Sequence, residues 1–138
     1  AQNSYPALIG TVLPEFSLFT STNEEVTNFS LHSQNTILTL LNTWYPQTSE
    51  QLTRLSALSK SQNVNPVVLF PQESVSKIRS FANRGNYNLT FIADPDGTLI
   101  EPLRYQTAPT HYFIDREGKI NQVATGLLSE QEIVNNSK

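Results

Sequence analysis

The sequence predicts an α/β fold: a mixed central β-sheet flanked by helices, with a β extension at its N-terminal side. Three observations predict it. The apolar runs Thr36–Thr43 and Pro66–Phe70 are continuous rather than alternating, as strands covered on both faces are. Apolar side chains after each run recur on one helical face, as Leu52, Leu55, Leu58 and as Val75, Ile78, Phe81, which gives a β–α–β–α order and parallel strands. Late in the chain, Asp115-Arg116-Glu117-Gly118 joins two further strand-like runs as a hairpin, adding an antiparallel edge.

Taken in order, residues 1–9 read as a loose leader and residues 10–138 as one domain. Phe16 to Phe19 alternates and predicts a short strand. Thr22-Asn23-Glu24-Glu25 reads as a turn, and Val26–Phe29 as a second short strand. The Thr36–Thr43 strand leads to a helix capped by Thr48 or Ser49, with Glu50-Gln51 in its first turn. Asn63-Val64-Asn65 is a break before the Pro66–Phe70 strand, which Pro71 stops. Gln72-Glu73-Ser74 opens the second helix, and Gly85 is the expected residue just past its end. Leu89–Ala93 is strand, and Asp94-Pro95-Asp96-Gly97 is a turn in which Pro fixes φ and Gly supplies positive φ. Thr98–Tyr105 predicts a short helix, Thr110–Ile114 and Lys119–Ala124 the hairpin strands, and Ser129-Glu130-Gln131-Glu132 the cap of a last helix.

Composition excludes several functions. At 138 residues the chain can bury roughly two thirds of its unfolded surface, enough for a real core. A net charge of −3, with 15% charged residues of both signs scattered, offers no basic stripe for nucleic acid. No apolar run approaches the ~18 residues of a membrane span. The polar start, Ala1-Gln2-Asn3-Ser4-Tyr5-Pro6, shows no signal-peptide pattern and no initiator Met, as expected of a processed or trimmed N-terminus, and equally of a boundary chosen within a longer chain. With no cysteine and no methionine, disulfides, thiolate catalysis and cysteine-based metal sites are excluded.

Three segments together resemble the thioredoxin-like superfamily, and within it the extracytoplasmic TlpA-like thiol–disulfide oxidoreductases of bacteria, including those that reduce apocytochrome c. They are Gly10-x-x-Leu13-Pro14-x-Phe16-Ser17-Leu18, Leu40-Leu41-Asn42-Thr43-Trp44, and Pro109-Thr110-His111-Tyr112-Phe113-Ile114-Asp115-Arg116-Glu117-Gly118-Lys119-Ile120. The third is the most specific, and the match spans Gly10 to about Ile133. The resemblance implies that Trp44-Tyr45-Pro46-Gln47-Thr48 stands where the family carries Trp-Cys-x-x-Cys, with Tyr45 and Thr48 in place of the cysteines. It implies that Gln51 replaces a buried, proton-managing Glu, so that an amide stands where a titrating acid did. It implies that Pro109 is the family's cis-proline, facing the motif, with the Ala108 backbone free to pair with an extended peptide. It implies an extracytoplasmic location.

Other chemistry finds little support. Tyr45 is a phenol, a poor nucleophile with no base beside it, so it reads as a contact residue paired with Trp44, or as filler beside Pro109. His32 and His111 lack convergent carboxylates for a metal site, and His111 reads as a hydrogen-bonded core histidine. Glu24-Glu25, Asp94/Asp96 and Glu130/Glu132 read as turn or cap acids without apolar surroundings. Asp94-Pro95-Asp96-Gly97 lacks the later ligands of a calcium loop. Asn28-Phe29-Ser30 and Asn88-Leu89-Thr90 match glycosylation sequons by pattern alone. No cofactor and no metal are expected.

The leading expectation is therefore a cysteine-less, redox-inactive thioredoxin-like domain. It binds a polypeptide partner through a groove formed by Trp44, Tyr45, Ala108 and Pro109. The alternatives are an oxidoreductase or peroxiredoxin-like protein working by an unconventional route or with a partner, and a stability domain of a larger assembly.

Overall fold

The computed structural model describes residues 8–32, 34–60 and 64–137. Of the expected leader, residues 1–7 lie outside the described residues, as does Asn63 of the expected break; Leu8 is buried in the core.

Seven strands form one mixed sheet: β1 (Ser17–Thr20), β2 (Glu25–Thr27), β3 (Thr36–Leu40), β4 (Asn65–Pro71), β5 (Thr90–Asp94), β6 (Thr110–Ile114) and β7 (Ile120–Thr125). Their order across the sheet is β2-β1-β5-β4-β3-β6-β7. Strands β3, β4 and β5 run parallel, and β6 lies antiparallel to β3, with Leu40 opposite Thr110 and Thr36 opposite Ile114. Three helices, α1 (Thr48–Ala57), α2 (Val75–Gly85) and α3 (Glu130–Asn136), complete the layers.

Alternate residues of each central strand enter two separate apolar clusters. Ile37, Val68, Phe70, Phe91 and Phe113 pack against Leu52 and Leu55 of α1, Ile78 of α2 and Ile133 of α3. Leu38, Leu40, Leu69, Ile92 and Tyr112 point the other way, under Leu8, Leu13, Leu31, Leu99 and Leu103. Both faces of β3 are thus covered, which is why its sequence reads as an unbroken apolar run.

Several boundaries differ from the sequence expectation. The second strand ends at Thr27, and Asn28–Leu31 is a 3-10 turn in which Thr27 and Ser30 cap each other. Asn28 is buried there, accepting the Phe16 amide N–H at 3.3 Å, so its sequon is spent on structure. Strand β3 stops at Leu40 because Asn42 and Thr43 turn toward Glu73 instead of the ladder. The N-cap of α1 is Gln47, without a side-chain cap bond. Asn86, not Gly85, takes the left-handed cap of α2 at φ 55°. Gly85 is required for another reason: a Cβ there would strike the Tyr87 ring. Residues 98–104 form successive turns rather than a helix. Pro102 has no amide N–H to donate, and Arg104 turns left-handed at φ 55°. Asp94 is a turn acid as expected, its carboxylate accepting from the Thr98 and Leu99 amides and the Thr98 hydroxyl, but it is buried rather than without apolar surroundings.

Candidate functional site at the carboxyl edge of the sheet

Because β3, β4 and β5 are parallel, the loops that follow them emerge at one end of the sheet. The antiparallel register of β6 brings the loop before Thr110 to that same end, and the pairing of Thr110 with Thr125 brings the end of β7 there too. Ligands of open α/β sheets bind beyond the carboxyl ends of the strands. Trp44–Thr48 and Ala108–Pro109, far apart in sequence, therefore share one rim.

Within the rim the predicted residues have different fates. Trp44 is 69% exposed. Tyr45 is half-buried, and its hydroxyl donates to the Gln47 side-chain oxygen at 2.9 Å. Ring contacts among the described residues involve Phe29, His32, Phe70, Phe81, Tyr87 and Phe91; the expected Trp44–Tyr45 ring pair does not form. Pro46 and Gln47 are exposed. Thr48 is buried, and its hydroxyl donates to the Asn42 carbonyl at 2.7 Å, tying the start of α1 to the end of β3. Gln51 faces the interior with no solvent exposure. Its amide oxygen accepts the Leu128 N–H at 2.8 Å and its amide nitrogen donates to the Leu128 carbonyl at 3.2 Å. Gln51 thus clamps the segment before α3 rather than lining the surface.

The Ala108–Pro109 peptide bond is cis. The Thr107 carbonyl accepts from the Thr110 hydroxyl, and the Pro109 carbonyl accepts from the Gly126 N–H at 2.9 Å. Between them, the N–H and carbonyl of Ala108 make no hydrogen bond among the described residues.

Glu73 holds the motif in place and was not singled out from the sequence. It is buried between β4 and α2, and accepts from the Asn42 amide at 3.0 Å, the Thr43 N–H at 2.9 Å and the Thr43 hydroxyl. Lys77 pairs with it at 3.3 Å. Burial pushes its pKa up, but the bonds from Thr43, Asn42 and Lys77 prevail and hold it below the ordinary value of 4.5. The two residues preceding Trp44 are thus tied to a fixed carboxylate. Nothing local in the sequence marks this, since the partners lie some thirty residues apart.

His111 is fully buried. Its Nε2 lies 2.9 Å from the Gly126 carbonyl, which can only accept, so Nε2 carries the proton and Nδ1 accepts from the Thr39 hydroxyl at 2.8 Å. Burial pulls its pKa down, partly offset by the Gly126 bond, to about 4. It is a neutral structural group at neutral pH, as its place in the sequence suggests. Among the described residues no cluster of three or more His, Asp or Glu could hold a metal ion, and no helix is long and apolar enough to cross a membrane.

Residues 9–123 match the AhpC/TSA family. The thiol:disulfide interchange protein DsbE of Pseudomonas aeruginosa is 26% identical over 127 residues, spanning 91% of this chain and 71% of that protein. The thiol-disulfide oxidoreductase ResA of Bacillus subtilis is 24% identical over 131 residues, spanning 90% of this chain and 71% of that protein. The crystal structure of the exposed lipoprotein thioredoxin of Streptococcus pneumoniae superposes with a TM-score of 0.81 at 19% identity, over 90% of this chain and 98% of that one. That likeness shows a thioredoxin-like fold, in a chain that has no cysteine.

Proposed function

This chain belongs to the AhpC/TSA family, and we propose that within it the protein is a redox-inactive, peptide-binding domain, formed by residues 10–138. Disulfide exchange needs a thiolate as nucleophile and a second sulfur to resolve the mixed disulfide. The chain has no sulfur atom, and the positions that resemble the cysteine pair carry a phenol and a buried hydroxyl already donated to a carbonyl. What the rim offers instead is contact.

The observation that carries this reading is the unpaired backbone of Ala108 on the same rim as an exposed Trp44 and a half-buried Tyr45. A free N–H and C=O at one residue is a starting point for strand-like pairing with an extended chain, and a large exposed aromatic is a favoured anchor at interfaces. The occupant is an extended segment of a protein partner, hydrogen-bonded at Ala108 and covered by Trp44 and Tyr45. The cell envelope is its expected setting, in keeping with the exposed lipoprotein among its structural relatives.

The test is binding of extended peptides and candidate envelope proteins to wild type, Trp44→Ala and Tyr45→Ala. Loss of about tenfold or more in either variant is expected, the scale of an aromatic interface anchor. Unchanged affinity in both overturns the groove. Insulin-disulfide reduction should stay at the level of the blank; turnover above it would restore the enzymatic reading.

A further inference from the structure

Four non-glycine residues have left-handed φ among the described residues: Asn23, Gln72, Asn86 and Arg104. Asparagine tolerates this conformation because its short amide can bond locally, and Asn86 uses it as a helix cap. Gln72 and Arg104 have no such reason; Gln72 follows β4 directly on the carboxyl-edge rim, and Arg104 lies in the turns between β5 and β6. The two loops touch, since the Gln72 side chain lies 3.1 Å from where a Cβ on Gly97 would stand. Backbone held in sparsely populated regions gathers at binding and active sites.

The turn at Arg104 leaves its side chain exposed, with no hydrogen bond or ion pair from the guanidinium among the described residues. It borders an open hollow of about 830 Å³ lined by Leu8, Thr98, Glu101, Tyr105 and Gln106 among others. Gln106 is two residues from Ala108, so the hollow adjoins the backbone that the proposed peptide would pair with.

We infer that this hollow is a subsite for a carboxylate carried by the bound polypeptide, with Arg104 as its receptor group. The inference rests on the peptide-binding reading and adds the chemistry of the partner. A guanidinium presents a planar fork of donors that fits a carboxylate in two-point contact. Glu101 is the opposing charge at the hollow. It repels the same ligand and keeps the affinity modest.

The probes are three octapeptides of alternating Ala and Thr, read by calorimetry at low salt. One carries a central Asp and an amidated C-terminus. The second carries a central Asn and a free C-terminal carboxylate, and the third a central Asn and an amidated C-terminus. Wild type should bind one carboxylate peptide about fivefold tighter than the neutral one, the strength of an exposed ion pair; which one it is identifies the carboxylate as side-chain or C-terminal. Arg104→Gln should erase that preference and Glu101→Gln should widen it, while neither changes binding of the neutral peptide. Equal binding of all three by wild type, or a preference that survives Arg104→Gln, overturns the subsite alone. If wild type binds none of them, or if Trp44→Ala and Tyr45→Ala both bind all as wild type does, the groove itself is overturned and the subsite with it.

Discussion

Gln51→Glu exchanges an amide for a carboxyl at a position without solvent exposure. The carboxyl can still accept the Leu128 N–H, which lies 2.8 Å from Gln51 Oε1. Its second oxygen takes the place of the Nε2 that donates to the Leu128 carbonyl at 3.2 Å, and an ionised oxygen facing a carbonyl repels it. Only the protonated form reproduces both bonds. Burial and this contact together raise the folded-state pKa by about 2 units, while Arg54, which donates to the same carbonyl at 3.1 Å, limits the rise. A raised folded pKa gives stability that is complete below the unfolded value and lost as pH rises through the folded one. Two units at 1.36 kcal/mol each make the variant about 3 kcal/mol less stable relative to wild type at pH 8 than at pH 4. Urea unfolding followed by circular dichroism from pH 4 to pH 9, taken as variant minus wild type, measures this directly and cancels the titration of other groups. A difference that stays flat with pH would refute the clamp as the reason Gln occupies this position.

Two further outcomes follow from the buried titratable groups. His111 has its pKa pulled from 6.5 to about 4 by folding, so wild-type stability should be complete above pH 6.5 and fall toward pH 4, by up to about 3 kcal/mol; His111→Gln should flatten that window, checked by the same unfolding series. Glu73 has a lowered pKa, so its contribution is lost as pH falls below 4.5; Glu73→Ala strands the Thr43 N–H and leaves the Asn42 amide only its bond to the Pro71 carbonyl, and should cost about 2–4 kcal/mol, with the Trp44 emission shifted because Thr43 before it is no longer held.

The sequence by itself determined the layer architecture, because that depends on patterns with short periods. The unbroken apolar runs of β3 and β4 and the three-residue spacing of Leu52 and Leu55 are local signals of strands covered on both faces and of an amphipathic helix. It also determined what chemistry is absent, since no folding can supply a missing sulfur. Local patterning misread residues 98–105 as helix, where Pro102 and the left-handed Arg104 override propensity, and the cap of α2, where Tyr87 occupies the space beside Gly85.

Only the tertiary structure decided how the rim is held together. The partnership of Glu73 with Asn42 and Thr43, the clamp of Gln51 on Leu128, and the bond of His111 to Thr39 join residues 30 to 77 positions apart. Such bonds leave no periodic trace, because side chains that meet through folding need share nothing in their sequence neighbourhoods. The placement of Arg104 at the hollow that Gln106 also lines is likewise a product of the turns after β5, and the carboxyl edge gathers its loops from strand direction and register rather than from the residues it displays.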